Sequence, residues 1–277
     1  MLPLRDDNPV RRTPFVTWAI IAACLVAYFV WQPSPLGEDT DDVEFNLRHA
    51  AIPCEITQGE PLTVDEVVAT FQAGNDEACG VGSAASPAFD PGKSVWLSLV
   101  TSIFLHGGLL HLGGNLLFLW VFGNNVEDRL GPIVFALFYL VGGVVASLGH
   151  VAFGPDSTVP VVGASGAIAA VMGAYLIWFP NARVRTAVIF FFITLVDIPA
   201  KWVLGFWFVL QFFTDPSGGV AWIAHVAGFV FGVGIALLVR AAGVGGPPTP
   251  ATGRGPGWGR RPPDPWDDRP FGGGGRY

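Results

Sequence analysis

The sequence predicts an all-α protein embedded in a membrane as a bundle of transmembrane helices. Three observations carry this. Of 277 residues, 51% are hydrophobic and 13% are charged, against about a quarter charged in an ordinary soluble domain. The mean hydropathy is +0.50, which leaves too little polar surface to cover a globule in water. The apolar residues are also gathered into runs near the length that ~30 Å of hydrocarbon demands, with charged or Gly/Pro breaks between them. This composition argues against a soluble enzyme and makes a membrane-embedded protein the starting point. The net charge of −7 argues against a nucleic-acid partner.

Residues 1–13 form a short N-terminal segment carrying Arg5, Arg11 and Arg12. Residues 14–32 hold the first apolar run, free of charge and long enough to span. A signal peptide is the rival reading. The run is long for an h-region, and no small-x-small site follows in Val30-Trp31-Gln32-Pro33. Residues 33–95 are a polar insert with 12 acidic and two basic residues, leaving 13 basic against 10 acidic elsewhere. The acidity therefore belongs to one extramembrane loop. Within it, Thr63-Val64-Asp65-Glu66 spells a capping box, with Leu62 and Val67 placed as a hydrophobic staple. Val64, Val67, Val68 and Phe71 continue at helical spacing.

Residues 96–240 supply the remaining elements. Trp96, Leu99, Val100, Ile103 and Phe104 form a stripe suited to an interfacial helix, broken by Gly107-Gly108. Spans are expected at about 109–123, 132–153, 161–179, 199–213 and 220–238. Residues 186–196 are expected to be a partly inserted lead-in to the fifth of the six spans. Asp197 and Lys201, four apart, are expected to pair. Residues 241–277 hold 11 Gly and 8 Pro in 37 residues and are expected to be disordered.

Charge sets the orientation. With the N-terminus in the cytoplasm, Arg129, Arg183, Arg185, Arg240 and the tail arginines also fall inside, while Arg48 and Lys93 fall outside. This is the positive-inside pattern, and it predicts a multi-pass protein of the cell membrane with both termini cytoplasmic. Cys54 and Cys79 both lie in the external insert. An oxidising compartment permits a disulfide there, although two cysteines do not establish one.

Polar groups inside a span are costly and need a reason. Candidates are His106, His111, Asn115, His150, Ser165, Asp197, Lys201, Gln211 and His225. Under this topology His111 and Asn115 lie in the outer half of the second span, on one helical face. Ser165 lies about one turn into the fourth, and His225 ~9 Å into the sixth. A serine needs a neighbouring base to become a nucleophile, and His225 is a candidate. An acyl-transfer oxyanion needs donors, which His111, Asn115 and the Ser165 amide are able to supply. Gly163 and Gly166 keep the surroundings of Ser165 small. Gly228 and Gly232 form a GxxxG one turn past His225, which permits close helix approach.

Three blocks now resemble the rhomboid intramembrane serine proteases. They are Phe104-Leu105-His106-Gly107-Gly108-Leu109-Leu110-His111-Leu112-Gly113-Gly114-Asn115, Gly163-Ala164-Ser165-Gly166, and Ala224-His225-Val226-Ala227-Gly228-Phe229-Val230-Phe231-Gly232. The stretch Ile198 to Gly205 is similar to the bacterial subgroup. The resemblance covers roughly residues 10–240 and implies a six-helix core with a Ser165–His225 dyad and no carboxylate member. It implies an oxyanion site at His111, Asn115 and the Ser165 amide. It further implies transmembrane protein substrates cut near the outer boundary of the lipid bilayer, with no cofactor and no metal. The loop at 214–219 would cap the site and the fifth span would act as a side gate. The chain departs from the family at Ala169, where members often carry an aromatic residue that stacks on the histidine. It also lacks the Trp-Arg pair often seen in the first loop.

Each residue has a plainer role to set beside this one. Ser165 alone reads as a helix-packing serine, and His225 as an interhelical histidine. His106 reads as a structural group bonding loop backbone; paired with His111 it lacks the further ligands a metal needs. Two whole-protein alternatives remain: a catalytically silent relative that binds transmembrane clients, and a small transporter, which predicts inverted repeats that the sequence does not display.

Overall fold

The computed structural model describes residues 1–33, 40–189, 193–214 and 221–243. Nearly all of the tail expected to be disordered, and most of the expected capping loop, lie outside them. The chain opens with strand β1 (Leu2–Asp6) and helix α1 (Phe15–Val26), which continues as a π-helical turn over Ala27–Trp31. The start of α1 has no side-chain cap of its own. Buried Glu127 takes that role from far along the chain, accepting from the amides of Val16 and Thr17 at 2.9 and 2.7 Å and from the Thr17 hydroxyl at 2.7 Å.

The insert contains three helices, α2 (Thr40–His49), α3 (Pro53–Gln58) and α4 (Val64–Phe71), where the sequence announced only the last. Thr63 and Glu66 cap α4 reciprocally. Leu47, Ile52, Cys54 and Leu62 form a small separate core, sealed by a Cys54–Cys79 disulfide. Beside it Lys93 Nζ meets Glu55 at 2.5 Å, with both side chains almost wholly buried. Burial pushes the Glu55 carboxyl up and the Lys93 ammonium down, against their mutual attraction. The insert also grips the loop at residues 154–163. The Cys54 amide donates to the Ser157 carbonyl at 2.9 Å, the Val161 amide donates to the Ala51 carbonyl at 2.8 Å, and the Thr70 and Thr158 hydroxyls meet at 2.6 Å.

The short helix α5 (Val95–Thr101) runs through a 3-10 turn at Ser102–Phe104 into a sharp break, followed by α6 (Leu109–Leu130) at 80°. Then come α7 (Pro132–Phe153), α8 (Ser165–Trp178), strands β2 (Arg183–Ile189) and β3 (Ile193–Pro199), α9 (Ala200–Gln211) and α10 (Trp222–Ala241). Helices α7 and α10 are each long and apolar enough to cross a membrane, and the bent α5–α6 pair is a third candidate. The apolar segments Phe15–Trp31 and α8 are shorter.

The sheet corrects the all-helical expectation. Strands β1, β2 and β3 pair in that order, antiparallel. Residues expected as a partly inserted lead-in are thus mostly a hairpin. The cause is legible afterwards. Arg183, Val184, Arg185 and Thr186 alternate exposed and buried, a period of two, and the segment is rich in Val, Ile and Thr. Pro199 ends β3 and opens α9. Asp197 and Lys201 consequently sit on different elements. Asp197 pairs across the hairpin with Arg185 at 3.0 and 3.2 Å, while Lys201 lies over the Trp202 ring at 5.8 Å.

Helix α8 is the centre of the bundle. Eleven of its 14 residues are buried, which suits a helix apolar on every side. Its small residues let α10 approach backbone to backbone. A Cβ on Gly228 would overlap the Gly166 carbonyl oxygen, and one on Gly232 would overlap the Ala170 carbonyl oxygen. Gly173 returns the fit from α8 against the Phe229 carbonyl. This is the small-residue packing that membrane helices use when the hydrophobic effect no longer draws them together.

Candidate active site

The tight α8–α10 contact decides what lies above it. His225 is one turn before Gly228, and Ser165 immediately precedes Gly166. The contact brings their side chains together, with His225 Nε2 2.7 Å from Ser165 Oγ across 60 residues of sequence. Ser165 is the first residue of α8, so its N–H belongs to the helical turn that lacks intrahelical acceptors.

His111 enters from the first turn of α6. A Cβ built on Gly163 would lie 2.8 Å from His111 Cε1, 2.9 Å from its Nε2 and 3.6 Å from Ser165 Oγ. The three groups therefore border one small space that only glycine leaves open. Gly163 also has φ +127°, a conformation that side chains resist. Asn115 lies one turn further along the same face of α6. It is buried, and its amide Nδ2 has no hydrogen-bond partner among the described residues. A buried donor without a partner is costly in a folded protein, and this one lies one turn along α6 from His111.

His106 is buried in the break between α5 and α6. Its Nδ1 lies 3.1 Å from the Phe104 carbonyl, and its ring packs against His111 at 5.3 Å. It makes no hydrogen bond to Ser165 or His225 among the described residues. The break is held by Gln32 at the end of the first helical segment. Gln32 donates to the His106 carbonyl at 2.8 Å and accepts from the His106 amide at 3.0 Å. Sequence reading passed over Gln32, because the pairing spans 74 residues and no local pattern marks it. Gly166 meets Ala146 of α7, where a Cβ would come within 2.6 Å of the Ala146 methyl. Of the nine residues singled out for the site, Ser165, His225, His111 and Gly163 converge directly; Gly166, Gly228 and Gly232 form the packing beneath.

Position 169 of α8 is a buried alanine, and the aromatic neighbour of His225 comes from α9 instead. The Trp207 ring lies 5.7 Å from the His225 ring. One turn later, Gln211 Oε1 lies 2.7 Å from His225 Nδ1. Trp207 and Gln211 are spaced i, i+4, so they share a helix face, a signal present in the sequence but carrying no hint of which helix it faces.

Fold and site together define a helical membrane protein with a serine–histidine pair held inside the bundle. Residues 93–242 match the rhomboid domain, more than half of the chain, which belongs to the rhomboid family. It is 43% identical over 81 residues to rhomboid protease GluP of Bacillus subtilis, covering 29% of this chain and 15% of that protein. Rhomboid protein 1, mitochondrial, of Saccharomyces cerevisiae is 33% identical over 92 residues, covering 32% of this chain and 27% of that one. The human presenilin-associated rhomboid-like protein, mitochondrial, is 35% identical over 106 residues, covering 36% and 27%. The matched stretches thus span about a quarter or less of these relatives. Mitochondrial relatives match alongside the bacterial one, so these matches show membership of the family and do not single out its bacterial subgroup.

Proposed function

We propose that this protein is an intramembrane serine endopeptidase that cleaves single-pass transmembrane proteins near the outer membrane boundary. The observation that carries the reading is the 2.7 Å contact between Ser165 Oγ and His225 Nε2, inside the bundle and supported by backbone packing. Ser165 attacks the scissile carbonyl while His225 takes its proton, then returns it to the leaving amine. The tetrahedral oxyanion is stabilised by donors from His111, the Asn115 amide and the Ser165 N–H. Water then hydrolyses the acyl-enzyme. A helical substrate hides its carbonyls within its own hydrogen bonds, so a locally unwound segment must reach Ser165.

In this reading the core has six spans, formed by α1 with its π turn, α6, α7, α8, α9 and α10, with both termini cytoplasmic. The 14 residues of α8 rise only ~21 Å. If α8 ends at the inner boundary, its first residue is ~9 Å below the outer one. That depth makes peptide hydrolysis inside the membrane's outer edge geometrically sensible. The name of the Bacillus relative, a rhomboid protease, supports the activity.

The test uses purified protein in liposomes with a model single-pass substrate, and a fluorophosphonate probe. Cleavage and labelling are expected from the parent and neither from Ser165→Ala. Equal cleavage by Ser165→Ala overturns the assignment. An unlabelled, inactive parent that still captures transmembrane segments favours a silent client-binding relative.

A further inference from the structure

The polar group most in need of explanation is Gln211. It closes α9 among side chains that face outward: Val209 and Leu210 of the last turn, and Phe212 and Phe213 just beyond it, are all exposed on the bundle surface. Gln211 is 7% exposed. An amide turned inward at the end of a lipid-facing helix is costly unless both of its ends are bonded, and here both are. Nε2 lies 2.9 Å from the Trp207 carbonyl, and Oε1 lies 2.7 Å from His225 Nδ1.

These two contacts fix hydrogen positions that coordinates alone do not display. The Trp207 carbonyl only accepts, so the amide NH₂ must face it. The amide oxygen therefore faces His225, and it too only accepts. His225 Nδ1 must then carry the proton. In a neutral imidazole this leaves a lone pair on Nε2, the atom 2.7 Å from Ser165 Oγ. The chain Trp207 C=O, Gln211, His225, Ser165 has one consistent direction, and in it the serine hydroxyl donates to the histidine.

We propose that Gln211 is a positioning residue for His225: it holds the Nδ1–H tautomer and the ring plane, so that Nε2 faces Ser165 as a base. Trp207 covers the ring from the same helix face. Helix α9 thus supplies both the aromatic neighbour and the hydrogen-bond partner of His225. The inference rests on the proteolytic reading above, and it specifies that the orienting group is a neutral amide on α9.

The experiment compares Gln211→Met, which keeps length and volume but removes the acceptor, with Gln211→Glu, which keeps an acceptor at the same reach. Both are assayed as full-length protein in liposomes. Gln211→Met is expected to lose 10- to 100-fold in kcat with KM changed less than threefold, the pattern of lost transition-state stabilisation rather than lost substrate binding. Gln211→Glu is expected to retain at least tenfold more of kcat than Gln211→Met. A packing role predicts the reverse order, since Met fills the site and a buried acid does not. Full kcat in Gln211→Met overturns the proposal. Independently of cleavage, ¹⁵N-histidine spectra are expected to show His225 protonated at Nδ1 in the parent and a tautomer mixture in Gln211→Met. Protonation at Nε2 in the parent overturns the proposal even where the protein folds and cleaves. If the parent shows no Ser165-dependent cleavage, the proteolytic reading fails, while the spectra still decide the tautomer.

Discussion

Replacing Gly228 by alanine tests whether α8–α10 packing sets the reactive distance. The added methyl would overlap the Gly166 carbonyl oxygen and lie 3.1 Å from its carbon and 3.4 Å from the Ala146 methyl. Carbon and oxygen settle no closer than about 3.3 Å, so the helices must part by on the order of 1 Å. His225 sits one turn away on α10, and Ser165 adjoins Gly166 on α8. The 2.7 Å contact then stretches to roughly 3.7 Å, outside the ~3.2 Å reach of a proton-transfer pair. A displacement of ~1 Å is enough to cost about 10²-fold in rate, or roughly 2.7 kcal/mol. The assay is Ser165-dependent cleavage in liposomes, with thermal melting to verify folding. Gly234→Ala on the same helix is the control, because a Cβ there meets nothing within 4 Å. Its rate should stay within twofold of the parent. A folded Gly228→Ala protein that cleaves within threefold of the parent would refute the reasoning.

Two further outcomes follow from parts outside the site. Asp6 of β1 accepts from Tyr175 at 2.6 Å and Asn125 at 2.7 Å, and burial raises its carboxyl to about 7 despite the Tyr175 bond. A carboxyl raised in the folded state contributes stability that is whole below its unfolded value of about 4 and is lost as pH rises through 7. Denaturation midpoints should therefore fall between pH 4 and 8, with a slope of up to ~1.4 kcal/mol per pH unit, and Asp6→Asn should flatten the curve. The Cys54–Cys79 bridge closes a 25-residue separation, for which chain entropy gives about 3.5 kcal/mol. Replacing both cysteines by serine should speed hydrogen exchange in residues 51–80, and unchanged exchange would show that the insert holds by its own core.

The apolar helices and the serine and histidine that the fold brings together were legible because each rests on local pattern. Apolar runs have a length set by lipid, and polar residues inside them stand out. The capping box of α4 was legible for the same reason, being four consecutive residues. The β-hairpin was missed because an apolar segment with β-branched residues reads as a short span when apolar content alone is weighed. The two-residue alternation that marks a strand covers only its first turn of sequence, Arg183 to Thr186, and the apolar run that follows hides it.

The sequence by itself determined that this chain lives in a membrane, which residues are too polar to be there without reason, and which family it resembles. Only the tertiary structure decided what holds those residues in place. Glu127 caps a helix about 110 residues away, Gln32 clamps a loop 74 residues away, and Gln211 reaches His225 from a different helix. Backbone amides, carbonyls and imidazoles take whatever partner the packing brings within ~3 Å. Packing here is set by where glycines let two backbones meet, and that is a property of pairs of helices rather than of any one stretch of sequence.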